Sequence, residues 1–206
     1  MNKFFYHGTD LDSVFKIFKT GGIKCRRLIE EEKIEIKRTL DVTFGPGYNG
    51  YDYISLCRID ESSLYCDSAF SVFIKNNYAL IISEDIDAIK TIDSNNKVMI
   101  EKYSKEFSQF FINNSGSKLR FSDMKDEWQI YDCIPIEKIV GIGIPIRKLK
   151  YNYNEIPDVK NLFNTASAFG LDIIDSSSIN SFQVYENGLY SSDKVKKIVY
   201  NGIVNV

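Results

Sequence analysis

The chain has one histidine, four prolines and four cysteines in 206 residues, and each scarcity removes a class of function. Cys25, Cys57, Cys66 and Cys133 form no CxxC pair and no cluster with histidine, so the ligand spacing of a zinc site is missing. Buried free thiols and no metal are the expectation. No stretch reaches the roughly 18 apolar residues that a bilayer span needs, and the opening residues turn polar within a few positions. The expectation is therefore no membrane partner and no signal peptide. That leaves a cytoplasmic protein, or one delivered into a target cell by a route without a classical signal peptide. The formal charge of −2 and pI near 5.6 argue against a general electrostatic grip on nucleic acid, while leaving room for a local basic patch. The glycine-rich run 43–50 lacks the Gly-Lys-Ser/Thr ending of a P-loop. Internal repeats and low-complexity tracts are absent as well.

What is present is an ordinary apolar fraction of 44% and an aromatic content of 14%, enough for one large core without a disulfide scaffold. Residues 3–7 read as a strand. Asp10 is placed to cap a helix whose Leu11, Val14, Phe15 and Phe18 repeat at helical spacing, and Gly21-Gly22 closes it. Residues 28–41 read as charged and mildly helical. Strands are expected over 51–58 and 78–83, a helical turn between Asp85 and Lys90, and a helix from Glu101 with Tyr103, Phe107, Phe110 and Phe111 on one face. The run 127–131 alternates as a half-buried strand does, with a proline-started turn at 135–139 and a strand at 140–144 behind it.

The polar link 147–154 is the best boundary, dividing a domain over 1–150 from a segment over 151–206 that packs on it. That segment holds an amphipathic helix on Val159, Leu162, Phe163, Ala166 and Phe169, closed by Gly170. Two hairpins are expected at Asn187-Gly188 and Asn201-Gly202.

The sole histidine, His7, sits where the first strand meets a glycine, a residue that lets a ligand approach the backbone. Histidine suits proton transfer or ligand hydrogen bonding near neutral pH. A strand-end residue bonded only to its neighbours is the simpler alternative. Three separated features share an order: His7-Gly8-Thr9 ending one strand, Tyr53-Ile54-Ser55-Leu56 on a second with Tyr65 downstream, and Glu127 opening a third. This order resembles the ADP-ribosyltransferase superfamily over residues 3–146, in particular its His-Tyr-Glu branch. Ser55 also fits the Arg-Ser-Glu branch, but His7 stands where that branch has arginine.

The resemblance implies an α+β fold with a split mixed sheet, flanking helices and a small C-terminal α/β extension. It also implies NAD as co-substrate and ADP-ribose transfer to a macromolecular acceptor, protein or nucleic acid, as in a bacterial toxin or effector. For such a toxin an antitoxin or immunity partner is a further implication. Glu127 would be catalytic, stabilising the positive charge that develops as the nicotinamide-ribose bond stretches. His7, with Thr9 in support, would hold a ribose hydroxyl of the adenosine half, and the Gly8 backbone would hold the nicotinamide carboxamide. Tyr53 and Tyr65 would sandwich the nicotinamide ring, and Ser55 would help bind NAD.

Lys118, Arg120 and Phe121 fall in the segment that would meet the acceptor; a solvated polar loop is the alternative there. Lys125 departs from the pattern, standing where arginine-modifying toxins often carry glutamate and asparagine-modifying ones glutamine. Three other readings stay open: an RNA 2'-phosphotransferase, for which Arg26-Arg27 is the only early cluster; an NAD hydrolase; and a non-catalytic NAD- or ADP-ribose-binding module.

Overall fold

The computed structural model describes residues 4–36, 52–57, 77–90, 127–149 and 153–176. The expected glycine-rich loop at 43–50, the helix from Glu101, both Asn-Gly hairpins, and Tyr65, Lys118, Arg120 and Phe121 lie outside them.

The first unit is strand β1 (Phe5–Thr9), helix α1 (Leu11–Thr20) and strand β2 (Gly22–Lys24). The Asp10 carboxylate caps α1 by accepting the Ser13 N–H at 2.8 Å, satisfying one of the orphan donors of the first turn. Gly21 ends the helix in the left-handed conformation, φ 83°, which costs glycine little. A short helix α2 (Arg26–Glu31) follows. The remaining described strands are β3 (Tyr53–Cys57), β4 (Tyr78–Ile82), β5 (Ile89–Lys90), β6 (Glu127–Tyr131), β7 (Cys133–Pro135), β8 (Ile139–Ile144) and β9 (Asp172–Asp175). Helices α3 (Ile146–Leu149) and α4 (Ile156–Phe169) lie between β8 and β9.

Seven of the described strands form one sheet in the order β5-β6-β3-β1-β4-β8-β9, and β2 pairs with β7 in a second sheet. Every pairing is antiparallel except β8 with β9. That parallel pair needs a crossover, and the segment carrying α3 and α4 supplies it. The class is therefore α+β with a mixed sheet. β9 extends the sheet built by the strands before residue 150, and α4 packs on α1 and β9.

All five residues of β4 are buried, as its unbroken apolar run requires of a central strand covered on both faces. One face of the sheet carries Phe5, Leu56, Leu80, Ile142 and Ile173 into the core, where Leu11, Val14 and Phe18 of α1 meet Val159, Leu162, Phe163 and Ala166 of α4. These helical positions recur every three or four residues, so each helix turns one stripe toward the sheet. Each such buried side chain contributes roughly 1.5–3 kcal/mol relative to exposure. A side chain at Gly22 would collide with the Ile134 carbonyl oxygen, so the β2–β7 sheet closes only on glycine there.

Four expectations change. The segment 85–90 holds strand β5 paired with β6 instead of a helical turn. The link 147–154 begins inside α3, held by buried Ile146 and Leu149. β7 appears where no strand was expected. Cys25 is buried as expected, but Cys133 is exposed, because β7 has only Ile134 buried between two more open neighbours. No helix among the described residues is long and apolar enough to cross a membrane.

Candidate ligand cleft at the seam between two strands

β1 has two edges, and they differ. Along β4 its pairing runs unbroken from Phe5↔Ile82 to Thr9↔Tyr78. Along β3 the pairing among the described residues is Tyr6↔Cys57 and does not continue to His7, Gly8 and Thr9. At this seam the Ser55 carbonyl accepts a hydrogen bond from Nδ1 of His7 at 3.0 Å. A carbonyl only accepts, so Nδ1 carries the proton, and in the neutral ring Nε2 is then a bare acceptor. Burial holds the imidazole pKa below its ordinary 6.5, partly offset by the Ser55 hydrogen bond, so near neutral pH this acceptor persists.

Beside the seam lies a cleft of about 130 Å³. His7 and Thr9 form one wall. Ser13, Lys16, Ile17 and Thr20 of α1 form another, and Ile23, Ile29, Ile34 and Ile36 give it an apolar end. Lys16 is held by Asp12 at 2.9 Å, and Lys24, also on the lining, is held by Glu32. Surface pairs of this kind are worth about 0–1 kcal/mol, so an anion entering the cleft can displace the carboxylates.

Helix α2 is fixed by Arg27, whose guanidinium bonds Glu31 at 3.0 Å, Asp52 at 2.9 Å and Asp132. These partners, Glu31 foremost, hold it more firmly in its charged form. Asp132, at φ 60° in the corner between β6 and β7, also accepts from the Cys25 N–H at 2.8 Å and donates its own N–H to the Asp52 carbonyl at 3.0 Å. The wall that carries Ile29 is thereby anchored to the ends of β3 and β6.

The strands bearing the residues singled out in the sequence are neighbours, in the order β6-β3-β1. Glu127 opens β6 with its backbone opposite Cys57, which is itself opposite Tyr6. Gly8 pairs with Ala79 on the closed edge. Tyr53 packs edge-on against Tyr131 at 5.4 Å.

Ile54 and Leu56 point into the core with Phe5, so alternation along β3 places Tyr53 and Ser55 on the face opposite His7. In a closed ladder the sheet would separate these groups. At the seam Nδ1 of His7 reaches the Ser55 backbone carbonyl, while the Tyr53 and Ser55 side chains are not on the lining of the cleft.

Two contributions were not anticipated from the sequence. Ser13, Lys16, Ile17 and Thr20 recur at i, i+3, i+4 and i+7, a second stripe of α1 beside its core stripe, and that spacing was the available signal. Arg27 was named only as half of the Arg26-Arg27 cluster, and its anchoring of α2 gave no local signal, because Asp52 and Asp132 are distant in the chain.

The described residues hold no group of three or more His, Cys, Asp or Glu side chains able to bind a metal. No protein-family model matches the chain, and no curated protein sequence matches it.

Proposed function

We propose that the protein is an NAD-dependent ADP-ribosyltransferase of the His-Tyr-Glu kind, with a split-sheet catalytic core, acting on a macromolecule as a toxin or effector. The observation that carries this reading is the seam. Three strands far apart in sequence lie side by side, and among the described residues the β1–β3 pairing ends beside the chain's single histidine.

The donor set suits a dinucleotide. The bare Nε2 of His7 accepts a ribose hydroxyl, the isoleucine end of the cleft takes a flat base, and Lys16 and Lys24 offer displaceable cations for phosphates. Gly8, at the open edge, is where main-chain donor and acceptor groups would hold the carboxamide.

In the reaction the bond between the ribose anomeric carbon and the nicotinamide nitrogen breaks, and its electron pair leaves with nicotinamide. Glu127 would stabilise the oxocarbenium-like centre and take the proton that the acceptor nucleophile loses as its bond to ribose forms. Transfer is favoured over RNA 2'-phosphotransfer by the fate of the early arginines. Arg27 is engaged by three carboxylates and serves to fix α2, which leaves Arg26, in an exposed pair with Glu30, as the one arginine of that cluster with a displaceable partner, short of the several that a 2'-phosphate site relies on.

The test is nicotinamide release from labelled NAD with candidate acceptors. Glu127→Ala is expected to lower kcat by two or more orders of magnitude with NAD affinity largely kept. His7→Ala is expected to weaken NAD binding about tenfold or more. Absence of release, with Glu127→Ala indistinguishable from wild type, rejects the reading. Release without transfer to any acceptor assigns NAD hydrolysis instead, and NAD binding without release assigns a binding module.

A further inference from the structure

Helix α2 is too short to hold itself. It has six residues, whereas an isolated helix is marginal in water below about 12–15. None of its residues is buried, and Cys25 before it makes no side-chain cap; Leu28 packs partly on the core. Yet α2 brings Ile29 to the cleft, and the turn after it brings Ile34. In that turn Lys33, at φ 54°, donates its N–H to the Glu30 carbonyl at 3.2 Å, and Ile34 donates to the Ile29 carbonyl at 2.9 Å. This paired closure usually has glycine at its left-handed position, and it folds Ile34 back beside Ile29. Both isoleucines therefore stand where α2 stands.

The ion pairs of this segment divide by what they join. Arg26 with Glu30 and Arg27 with Glu31 lie within the helix, so they support its turns without placing them. Among the described residues two side-chain links reach the rest of the protein: Glu32 to Lys24, and Arg27 to Asp52 and Asp132. The first is a single exposed pair on the cleft lining, open to displacement by a ligand phosphate. The second is a fork, with Nε on Asp52 at 2.9 Å and Nη2 on Asp132. Its two acceptor residues are themselves joined, Asp132 N–H to Asp52 carbonyl, at 3.0 Å.

We propose that Arg27 is a positioning residue of the ligand cleft: its fork onto the ends of β3 and β6 sets where Ile29 and Ile34 stand, and keeps them there once a ligand phosphate has drawn Lys24 from Glu32. The inference rests on the transferase reading, and adds to it a residue that governs NAD affinity without touching NAD. Lysine is a poor substitute, because one ammonium lacks the planar set of donors that reaches both carboxylates.

The experiment measures nicotinamide release by wild type, Arg27→Lys and Arg27→Met. The KM for NAD is expected to rise about threefold for lysine and about tenfold for methionine, with kcat within about twofold of wild type, since Glu127 is at the far end of β6 from Asp132. If wild type binds NAD without release, the same changes are read in Kd. Methionine leaves Asp52 and Asp132 facing each other, so Tm falls. Adding Asp52→Asn and Asp132→Asn removes that repulsion and is expected to restore Tm while KM stays raised.

A KM that recovers together with Tm shows that Arg27 acts through stability alone and overturns the proposal, as does an unchanged KM in Arg27→Met; both leave the transferase reading intact. Wild type that neither binds NAD nor releases nicotinamide overturns both. Position is also read without NAD, in Arg27→Lys, which keeps a charge facing the carboxylates if Arg27→Met does not fold. The methyl resonances of Ile29 and Ile34 are expected to shift while that of Ile82, buried in β4, stays. Unmoved Ile29 and Ile34 resonances overturn the proposal.

Discussion

The two edges of β1 offer the sharpest contrast in the molecule. Toward β4 the strand is paired at every residue from Phe5 to Thr9, and that neighbour is buried throughout. Toward β3 the pairing among the described residues is Tyr6↔Cys57, and Nδ1 of His7 donates to the Ser55 carbonyl two residues from Cys57. A closed ladder satisfies backbone groups with one another and leaves nothing for a ligand. An interrupted one leaves groups to be satisfied by side chains or by what binds. One strand therefore serves as scaffold along one edge and, in the proposed reading, as site along the other. The glycine at position 8 belongs to both.

The contrast can be broken most severely from the closed edge. Leu80 is fully buried on β4, opposite His7, among side chains from both α1 and α4. Leu80→Ala is expected to cost about 2–5 kcal/mol, measured as a lower urea midpoint with unchanged m-value. A loss below 1 kcal/mol would show that β4 is not the rigid reference against which the seam opens.

Between the two edges stands Asp10, where β1 gives way to the helix that walls the cleft. Its carboxylate accepts from the Ser13 N–H at 2.8 Å and from the Ser13 hydroxyl at 3.0 Å. Asp10→Ala is expected to cost about 1 kcal/mol, while Asp10→Asn, which still caps, costs less. If the seam depends on how α1 leaves β1, the alanine variant also weakens NAD binding by more than its stability loss explains. The check is NAD titration at a temperature where both proteins are fully folded.

These elements differ in how readable they were. The cap at Asp10, the stop at Gly21 and the α4 stripe closed by Gly170 are local, so spacing in the sequence was enough. β5 was read as a helical turn because its two residues become a strand only by pairing with β6, and β7 exists only because β2 lies beside it. The same limit applies to the site. His7 was conspicuous as the only histidine, whereas the seam is a matter of register between β1 and β3, which no local pattern encodes.

The finest probe of the open edge is protonation of His7. Burial lowers the folded-state pKa below the ordinary 6.5, against the smaller opposing effect of the Ser55 hydrogen bond. The unfolded chain therefore binds a proton at a higher pH than the folded one. Stability from the neutral ring is fully present above pH 6.5 and is lost as pH falls from there toward the folded pKa, at no more than about 1.4 kcal/mol per pH unit. With one histidine in the chain, no other side chain has its ordinary pKa in that window, and carboxylates titrate below it.

Urea titrations from pH 7.5 to 5 should show this decline in wild type, and His7→Gln should flatten it. NAD affinity should fall over the same range, because protonation turns the Nε2 acceptor into a donor facing a ribose hydroxyl. An equal decline in His7→Gln would mean the ring is not desolvated at the seam, and the open edge would then be an exposed strand margin instead of a binding site.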